Sequence, residues 1–326
     1  MKRSFSILVL VLSLVMLTGL LTACGSSSTA NNGAAKTTTA VNKTIKIGTL
    51  QTDDILPLWV AQKEGILKKA GLNVQIITFQ SSQEQVAAMT AGDIDGMMSD
   101  MVVALQLSAA GTKMRAVTVM LQGAPVGIIA SKGSRITGIE QLAGVKTGCS
   151  SNTVVEYVYD KALTDAGVPA NKIKTEEIKK LPVRFQMLTS NKIDAAVLPW
   201  TFFTLAQASG ATPLLSRQQS SAYTSTVLEF SDTYLQSSGA SKDMKTLLSC
   251  WNQGVDKINA NPDSYRSLLA TNAKLPDPLK TTYKVSTYPK TALPDQKQFE
   301  DVVKWMVGKG YLKSAIQYND SVYTAK

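Results

Sequence analysis

Charged and hydroxyl-bearing residues stand directly after the strand-like segments of this chain, where a parallel sheet would gather them at one edge. In open α/β sheets, ligands bind beyond the carboxyl ends of the strands. We therefore expect the ligand-binding residues to follow the strand-like segments or to begin the next helices, and the candidates are Asp53, Asp54, Ser81, Ser82, Gln83, Asp100, Ala124, Ser150, Ser151, Asn152, Thr153, Arg184, Pro199 and Trp200.

The acidic candidates are suited to hold a group that donates hydrogen bonds. Asp53 and Asp54 follow the first strand-like segment, and Asp100 follows the third. A carboxylate at these places can accept from an ammonium, an amidine or a ring N–H. Loop solvation and helix capping explain the same positions without a ligand, and both interpretations stay open.

Two groups of candidates precede helix-like stretches. Ser81 and Ser82 come before a helix with Glu84 in its first turn, and residues 150–153 come before a longer helix. Serine hydroxyls and free backbone N–H groups at a helix N-terminus form an anion site. Ordinary capping uses the same residues, so the pattern predicts an anion site, a cap or both.

Arg184 and Trp200 are the largest candidates. Arg184 can clamp a carboxylate or sulfonate with two parallel N–H groups, or it can lie on a helix surface. Trp200, with Phe202, can form an apolar wall of the site or pack in the core. Acidic groups opposite anion sites favour an amphoteric or polar heteroaromatic solute, because carboxylates would repel a bare anion such as nitrate.

The chain of 326 residues contains no histidine. This excludes mechanisms that need an imidazole base and most zinc sites. We also expect a protein that is not an enzyme and that uses no cofactor and no metal. Cys149 and Cys250 are expected to be buried free thiols. The net charge of +10 comes from scattered lysines rather than a basic patch with aromatic residues, which indicates a solvated surface and no nucleic-acid partner.

Strand-like and helix-like segments alternate from residue 44 onward. The alternation runs to residue 121, with one helix predicted over Pro57–Ala70, and starts afresh from Val126 to Ala208. Two consecutive α/β sets predict two lobes, each a mainly parallel sheet flanked by helices. A helical tail that can pack back across the first lobe is predicted over 241–259, 262–272 and 295–307.

The N-terminus has the pattern of an export signal. Lys2 and Arg3 precede an apolar run over 7–21, which is shorter than the roughly 20 residues that span a bilayer. The tetrapeptide that ends at Cys24 resembles the lipobox of bacterial lipoproteins. The resemblance implies a signal peptide over 1–23, a lipidated Cys24, a flexible tether over 24–43 and a place on the outer face of the cell membrane. The alternative is an ordinary signal peptide with a chance cysteine.

Four motifs follow one another along the chain, at Pro57–Val74, Ser81–Asp95, Ile139–Val145 and Leu188–Val197. Together they resemble the substrate-binding proteins of ABC importers in the nitrate/sulfonate/taurine and thiamine-precursor group. Two departures concern Ile66-Leu67, where that family usually has aromatic residues, and Pro199-Trp200, where many members have Glu-Pro.

The resemblance implies the type II periplasmic-binding-protein-like fold, an α/β fold of two lobes joined by two crossings. It places the first lobe at 44–124 plus 223–326, the second at 125–222, and the crossings near 123–125 and 216–224. It also implies a monomeric receptor that closes on a sulfonate, a taurine-like solute or a pyrimidine, and delivers it to a membrane permease.

Two other functions are compatible with that fold. A sensor or adhesin would bind a ligand or partner without transport. Thiamine-pyrimidine synthases share the fold, but that family needs a histidine and a cysteine-rich segment, and this chain has neither.

Overall fold

The computed structural model describes residues 43–275 and 277–325. The signal peptide, Cys24 and the tether up to residue 42 lie outside the described residues. In chain order the strands are β1 (Ile45–Thr49), β2 (Val74–Thr78), β3 (Gly96–Asp100), β4 (Met114–Leu121), β5 (Val126–Ala130), β6 (Lys146–Cys149), β7 (Lys174–Glu177), β8 (Ala195–Pro199), β9 (Thr212–Leu215) and β10 (Thr226–Ser231).

The helices connect these strands and form most of the tail. Short 3₁₀ helices cover Ile139–Leu142, Ala170–Lys172 and Pro262–Tyr265. The α-helices are α1 (Leu56–Lys63), α2 (Ile66–Lys69), α3 (Ser82–Ala91), α4 (Met101–Ala109), α5 (Val154–Asp165), α6 (Leu181–Thr189), α7 (Trp200–Ala208), α8 (Arg217–Ser220), α9 (Asp232–Leu235), α10 (Ala240–Ala260), α11 (Arg266–Asn272), α12 (Asp277–Lys280), α13 (Gln296–Gly308) and α14 (Tyr318–Ser321).

The strands form two five-stranded sheets, in the orders β2-β1-β3-β10-β4 and β7-β6-β8-β5-β9. In the first sheet, β1 pairs in parallel with β2 and β3, whereas β10 runs antiparallel to β3 and β4. In the second, β6 pairs in parallel with β7 and β8, whereas β5 runs antiparallel to β8 and β9. The predicted α/β fold with two mainly parallel sheets is confirmed, with one antiparallel strand in each sheet.

The chain crosses between the sheets twice, from β4 to β5 and from β9 to β10. Both antiparallel strands therefore come directly after a crossing. We call each sheet with its helices a lobe. The predicted lobe ranges contain these strands, while their end residues stay a prediction.

Helices cover both faces of the first sheet. On one face α10 packs along α1, and Trp251 and Leu247 of α10 join a hydrophobic cluster with Leu58 of α1. On the other face α13 packs on α4. A second hydrophobic cluster on that face continues into α5 of the second lobe through Tyr157 and Val158. The helical tail thus packs on the first sheet, and the lobes share apolar contacts on the α4, α5 and α13 side.

The structure differs from the sequence prediction in two connections. The helix predicted over Pro57–Ala70 is two helices, because Gly65 adopts a left-handed conformation with φ of 70° and ends the first. Strands β9 and β10 were not predicted, since β9 contains Pro213 and β10 follows a serine-rich segment.

Two further features bear on the expectations for the described part of the chain. Cys149 and Cys250 are buried and free, as expected. Over 43–275 and 277–325, no helix combines the length and the apolar character needed to cross a membrane.

Candidate ligand-binding site

A cavity lies between the two sheets, at the carboxyl ends of β1, β3, β6 and β8. It encloses about 50 Å³, several times the roughly 10–15 Å³ that one water molecule needs, so it has room for a small ligand. Its polar lining comes from both lobes and comprises Thr52, Asp54, Ser81, Ser82, Gln85, Ser99, Asp100, Thr226, Ser150, Thr153, Lys179 and Arg184.

Asp54 is a buried carboxyl on the first-lobe side of the cavity. One of its oxygens, Oδ1, accepts a hydrogen bond of 2.8 Å from the Thr226 hydroxyl. Burial, and to a smaller extent the nearby Asp53 carboxylate, raises the pKa of Asp54 to about 6. Asp54 is therefore costly to ionise until a donor or a cation approaches it.

Asp100 is the second buried carboxyl, and it ends β3 and caps α4. Its Oδ1 accepts from the backbone N–H groups of Val102 at 2.9 Å and Val103 at 3.1 Å. Burial raises the pKa of Asp100 to about 6, although these N–H groups and that of Val154, the first residue of α5, act to lower it. Asp100 thus caps a helix of one lobe and also faces the helix start of the other.

The N-termini of α3, α4 and α5 meet at this cavity. Ser81 caps α3 by accepting from the Glu84 N–H at 3.2 Å, and Thr153 caps α5 by accepting from the Val155 N–H at 3.2 Å. Both caps also line the cavity. Capping and a place at the site therefore occur together, and the three helix starts give the cavity a positive backbone potential.

Arg184 is fully buried on the second-lobe side, with 1% of its surface exposed. Its Nε donates to the Ile178 carbonyl at 3.0 Å and its Nη1 to the Val197 carbonyl at 2.8 Å. Burial lowers the pKa of Arg184 to about 10. Two carbonyls thus fix the guanidinium plane beneath the cavity, and its remaining N–H groups stay available to an anionic or carbonyl group.

The buried ionisable groups of the cavity have hydrogen bonds but no ion-pair partner. Asp54 and Asp100 come from the first lobe and Arg184 from the second, and none of them forms a salt bridge with any residue of the described ranges. A buried charge without an opposite charge beside it costs free energy. A ligand with a hydrogen-bond-donating end and an accepting end would offset that cost on both sides.

Three candidates lie at the rim rather than in the cavity. The Gln83 amide donates to the Ser150 hydroxyl at 3.2 Å across the two lobes. The Ser151 backbone N–H and hydroxyl donate to Glu177. Asn152 has a φ of 59° and, with Gln83 and Ser151, lines a surface groove beside the cavity mouth.

Asp53 does not line the cavity. Its Oδ2 accepts from the Tyr283 hydroxyl at 3.0 Å and from the Ser286 hydroxyl at 2.7 Å, and the Arg217 guanidinium lies 3.8 Å away. The Tyr288 hydroxyl bonds to its carbonyl. Asp53 therefore anchors the segment 283–288, and a ligand contact through it has no support in the geometry.

Trp200 packs in the core instead of walling the cavity. Its indole Nε1 donates to the Ala124 carbonyl at 2.9 Å, and its ring lies 5.0 Å from that of Phe203. Arg217 stacks over the same ring. Ala124 therefore holds this tryptophan at the first crossing, while Pro199 remains on the cavity wall.

The sequence missed several lining residues. Thr226 begins β10, a strand that was not predicted, and Gln85 lies inside α3, where its buried amide bonds the Met98 carbonyl at 2.8 Å. Lys179 also lines the cavity. Lys179 follows β7, so the rule of strand ends was the signal that could have found it.

The two-sheet topology with a cavity at the facing strand ends defines the fold of a two-lobed periplasmic binding protein. A sequence profile described as NMT1/THI5 like matches residues 52–265, more than half of the chain. The chain belongs to this family, as the four motifs implied.

Solved structures of low sequence identity share the fold. The periplasmic aliphatic sulphonate binding protein SsuA from Escherichia coli is 15% identical, with 87% of this chain and 92% of that chain covered and a TM-score of 0.71. The alkanesulfonate-binding protein SsuA from Xanthomonas axonopodis pv. citri, bound to MOPS, is 14% identical, with 87% and 99% covered and a TM-score of 0.73.

A third solved structure names a different anion. The periplasmic nitrate-binding protein NrtA from Synechocystis PCC 6803 is 13% identical, with 84% and 83% covered and a TM-score of 0.67. A comparison with curated proteins found no match.

Proposed function

We propose that this protein is an extracytoplasmic, lipid-anchored receptor that closes on a small organic solute and delivers it to the permease of an ABC importer. The observation that carries the proposal is the cavity between the lobes, in which Asp54 and Asp100 lie on one side and Arg184 on the other. A ligand with two polar ends could bind the carboxyls of one lobe and the guanidinium of the other at the same time.

The solute is a dipolar molecule on this proposal. Its donor or cationic end meets the two carboxyls, and its anionic or carbonyl end meets Arg184 and the helix starts at Ser82 and Ser150. A taurine-like aminosulfonate and an aminopyrimidine both have such ends. Two of the structural neighbours are named as a sulphonate-binding and a nitrate-binding protein. Their names support a small polar solute.

Delivery and anchoring rest on the family and on the N-terminal sequence. Receptors of this fold present a solute to a permease, and the box that ends at Cys24 would hold the protein at the membrane. Two or three acyl chains anchor stably where a single chain does not. A single chain of two lobes is sufficient for the cavity, which supports a monomer.

A set of matched probes tests the ligand chemistry. Thermal unfolding is recorded with taurine, ethanesulfonate, ethylamine, nitrate and 4-aminopyrimidine-5-carboxylate, each at several concentrations. Binding raises the midpoint, and at a given concentration the probe with the lower Kd raises it more. We therefore expect a dipolar probe to raise it more than any probe with one charged end. Tight binding of nitrate or ethanesulfonate that survives Asp100→Asn would contradict the dipolar solute.

Uptake of the labelled solute tests delivery. Cells that lack this protein should lose uptake, and the wild-type chain should restore it, whereas the Asp100→Asn variant should not. Normal uptake without the protein would leave binding intact and refute the transport role.

A further inference from the structure

Helices α5 and α13 meet across the two lobes through a compact polar cluster. The Lys309 ammonium lies 2.8 Å from Glu156 Oε1 and 2.9 Å from Asp160 Oδ2. The Trp305 indole donates to Asp160 at 3.1 Å, and the Tyr311 hydroxyl donates to Glu156 at 2.9 Å. We call Glu156, Asp160, Trp305, Lys309 and Tyr311 the bridging cluster.

The two acids of the bridging cluster belong to the second lobe, and its other residues belong to the first lobe. Glu156 and Asp160 belong to α5, which follows a strand of the second sheet. Trp305 belongs to α13, which packs on α4 of the first lobe, and Lys309 caps the C-terminus of α13. The Tyr157 ring meets the Trp305 ring edge-on at 5.3 Å. Any change in the angle between the lobes therefore acts on these contacts.

The bridging cluster also lies beside the return crossing from β9 to β10. The Tyr157 hydroxyl donates to the Tyr223 carbonyl at 3.3 Å. From α13, the Gln298 amide donates to the Ala222 carbonyl at 3.4 Å. Both helices thus hold the segment about which the lobes would rotate.

The acids of the cluster are largely desolvated, with 6% of the Glu156 side chain and 12% of the Asp160 side chain exposed. Burial acts to lower the pKa of Lys309, but the hydrogen bonds to the two acids outweigh it and raise that pKa above its ordinary value. Lys309 therefore stays charged, and its ion pairs are stronger than pairs in open water.

The polar contacts that join the lobes at the cavity mouth are weaker than those of the bridging cluster. Lys180 and Glu84 are 3.7 Å apart, with 54% and 41% of their side chains exposed, and the Leu181 N–H lies 3.5 Å from the Gln80 carbonyl. Exposed ion pairs of this kind contribute little because water screens them and the side chains lose freedom. The ion pairs of the bridging cluster are shorter than the Lys180–Glu84 pair, and their acids are far less exposed.

We propose that the bridging cluster is a latch that holds the two lobes in the arrangement of the structure. It sets the fraction of open molecules through contacts that no solute touches. Only molecules in the binding-competent arrangement of the lobes bind a solute. Because the cluster sets the size of that fraction, it changes the apparent affinity for every solute by the same factor. This inference goes beyond the proposed function, because it holds whatever solute the cavity takes.

The test measures the distance between the lobes in ligand-free protein. Thr90 on α3 and Thr189 on α6 are exposed, and cysteines at these positions accept spin labels, while Cys149 and Cys250 are buried. Pulsed dipolar spectroscopy then gives the distribution of distances. Lys309→Met removes the positive charge of the latch. Lys304→Met is the matched control, because Lys304 lies in α13 and has no salt bridge among the described residues.

We expect Lys309→Met to increase the population at long distance by about fivefold or more, whereas Lys304→Met and the mouth variant Lys180→Met keep the wild-type distribution. The triple variant Glu156→Gln, Asp160→Asn, Lys309→Met leaves no buried charge unpaired, so it decides the case if Lys309→Met does not fold. Unchanged distances in the variant that folds would overturn the latch and make the cluster a static brace.

Discussion

Asp53 and Asp54 are neighbours in the chain and have separate roles in the structure. The side chain of Asp54 lines the cavity and bonds Thr226, whereas that of Asp53 accepts from Tyr283 and Ser286 on the far side. Both are buried. Their burial is equal, so the direction of the side chain decides which of them can meet a ligand.

At the residue scale, the pKa of Asp100 predicts a stability that depends on pH. The folded pKa of about 6 lies above the unfolded value of about 3.9, so the folded state binds more protons between these values and loses stability as pH rises through them. Asp100→Asn removes this loss and keeps a capping side chain. We expect the variant to equal the wild type near pH 4 and to exceed its unfolding free energy by about 1–3 kcal/mol at pH 7.

Urea unfolding at pH 4 and pH 7 measures the difference. Asp295→Asn is the matched control, because Asp295 is an exposed cap of α13 that accepts from the Gln298 N–H. The control should show no gain at pH 7. A variant Asp100→Asn less stable than the wild type at pH 7 would show that the fold stabilises the ionised carboxylate.

The sequence predicted which polar residues line the cavity better than it predicted the direction of their side chains. Polar residues at strand ends indicated Asp54, Asp100, Ser81 and Thr153, because topology alone brings strand ends together. The direction of a side chain cannot be predicted in this way. Asp53 points away from the cavity because it bonds Tyr283 and Ser286, which lie far along the chain.

At the element scale, Gly254 allows α10 to pack against α1. A Cβ at this position would overlap the backbone carbonyl of Pro57, and the contact is with backbone, which cannot rotate away. The long helix of the tail therefore approaches the first helix at a glycine, and its apolar face completes the core of the first lobe.

Gly254→Ala is expected to destabilise the protein even though alanine favours helices. The overlap forces α10 away from α1, and overpacking of a core costs about 1–3 kcal/mol. Chemical unfolding measures the loss. Gly308→Ala is the control, since Gly308 ends α13 with open space around its Cβ position, and it should leave stability unchanged or raise it. Equal stability of the two variants would refute close packing at Gly254.

Helix and strand patterns predicted most of the elements but not the strands at the return crossing. Helices α10 and α13 begin and end close to the predicted 241–259 and 295–307, because their apolar spacing is clear over many turns. The helix predicted over 262–272 is instead a 3₁₀ helix, Pro262–Tyr265, followed by α11. Strand β9 is four residues long and contains a proline. Short strands of this kind are stabilised by pairing with β5, and pairing partners are not visible in a local pattern.

At the scale of the whole molecule, the sequence predicts a protein tethered through Cys24. Cys24→Ala should leave an unprocessed precursor that incorporates no labelled palmitate, because the thioether forms only on the cysteine. Palmitate labelling and membrane fractionation measure this. Normal processing and membrane retention of the variant would contradict lipid anchoring, and Cys250→Ala serves as the control, since that thiol is buried in the fold.

The central claim is that the cavity between the lobes binds the solute through the charges that line it. Titration calorimetry of the best-binding probe with the wild type, Asp53→Asn, Asp54→Asn and Asp100→Asn tests this directly. Removing one partner of a buried charge pair costs about 2–5 kcal/mol, so Asp54→Asn and Asp100→Asn should weaken binding by that amount, while Asp53→Asn should bind nearly as tightly as the wild type. A loss in Asp53→Asn as large as that in Asp54→Asn, or undiminished binding by Asp54→Asn and Asp100→Asn, would contradict the claim.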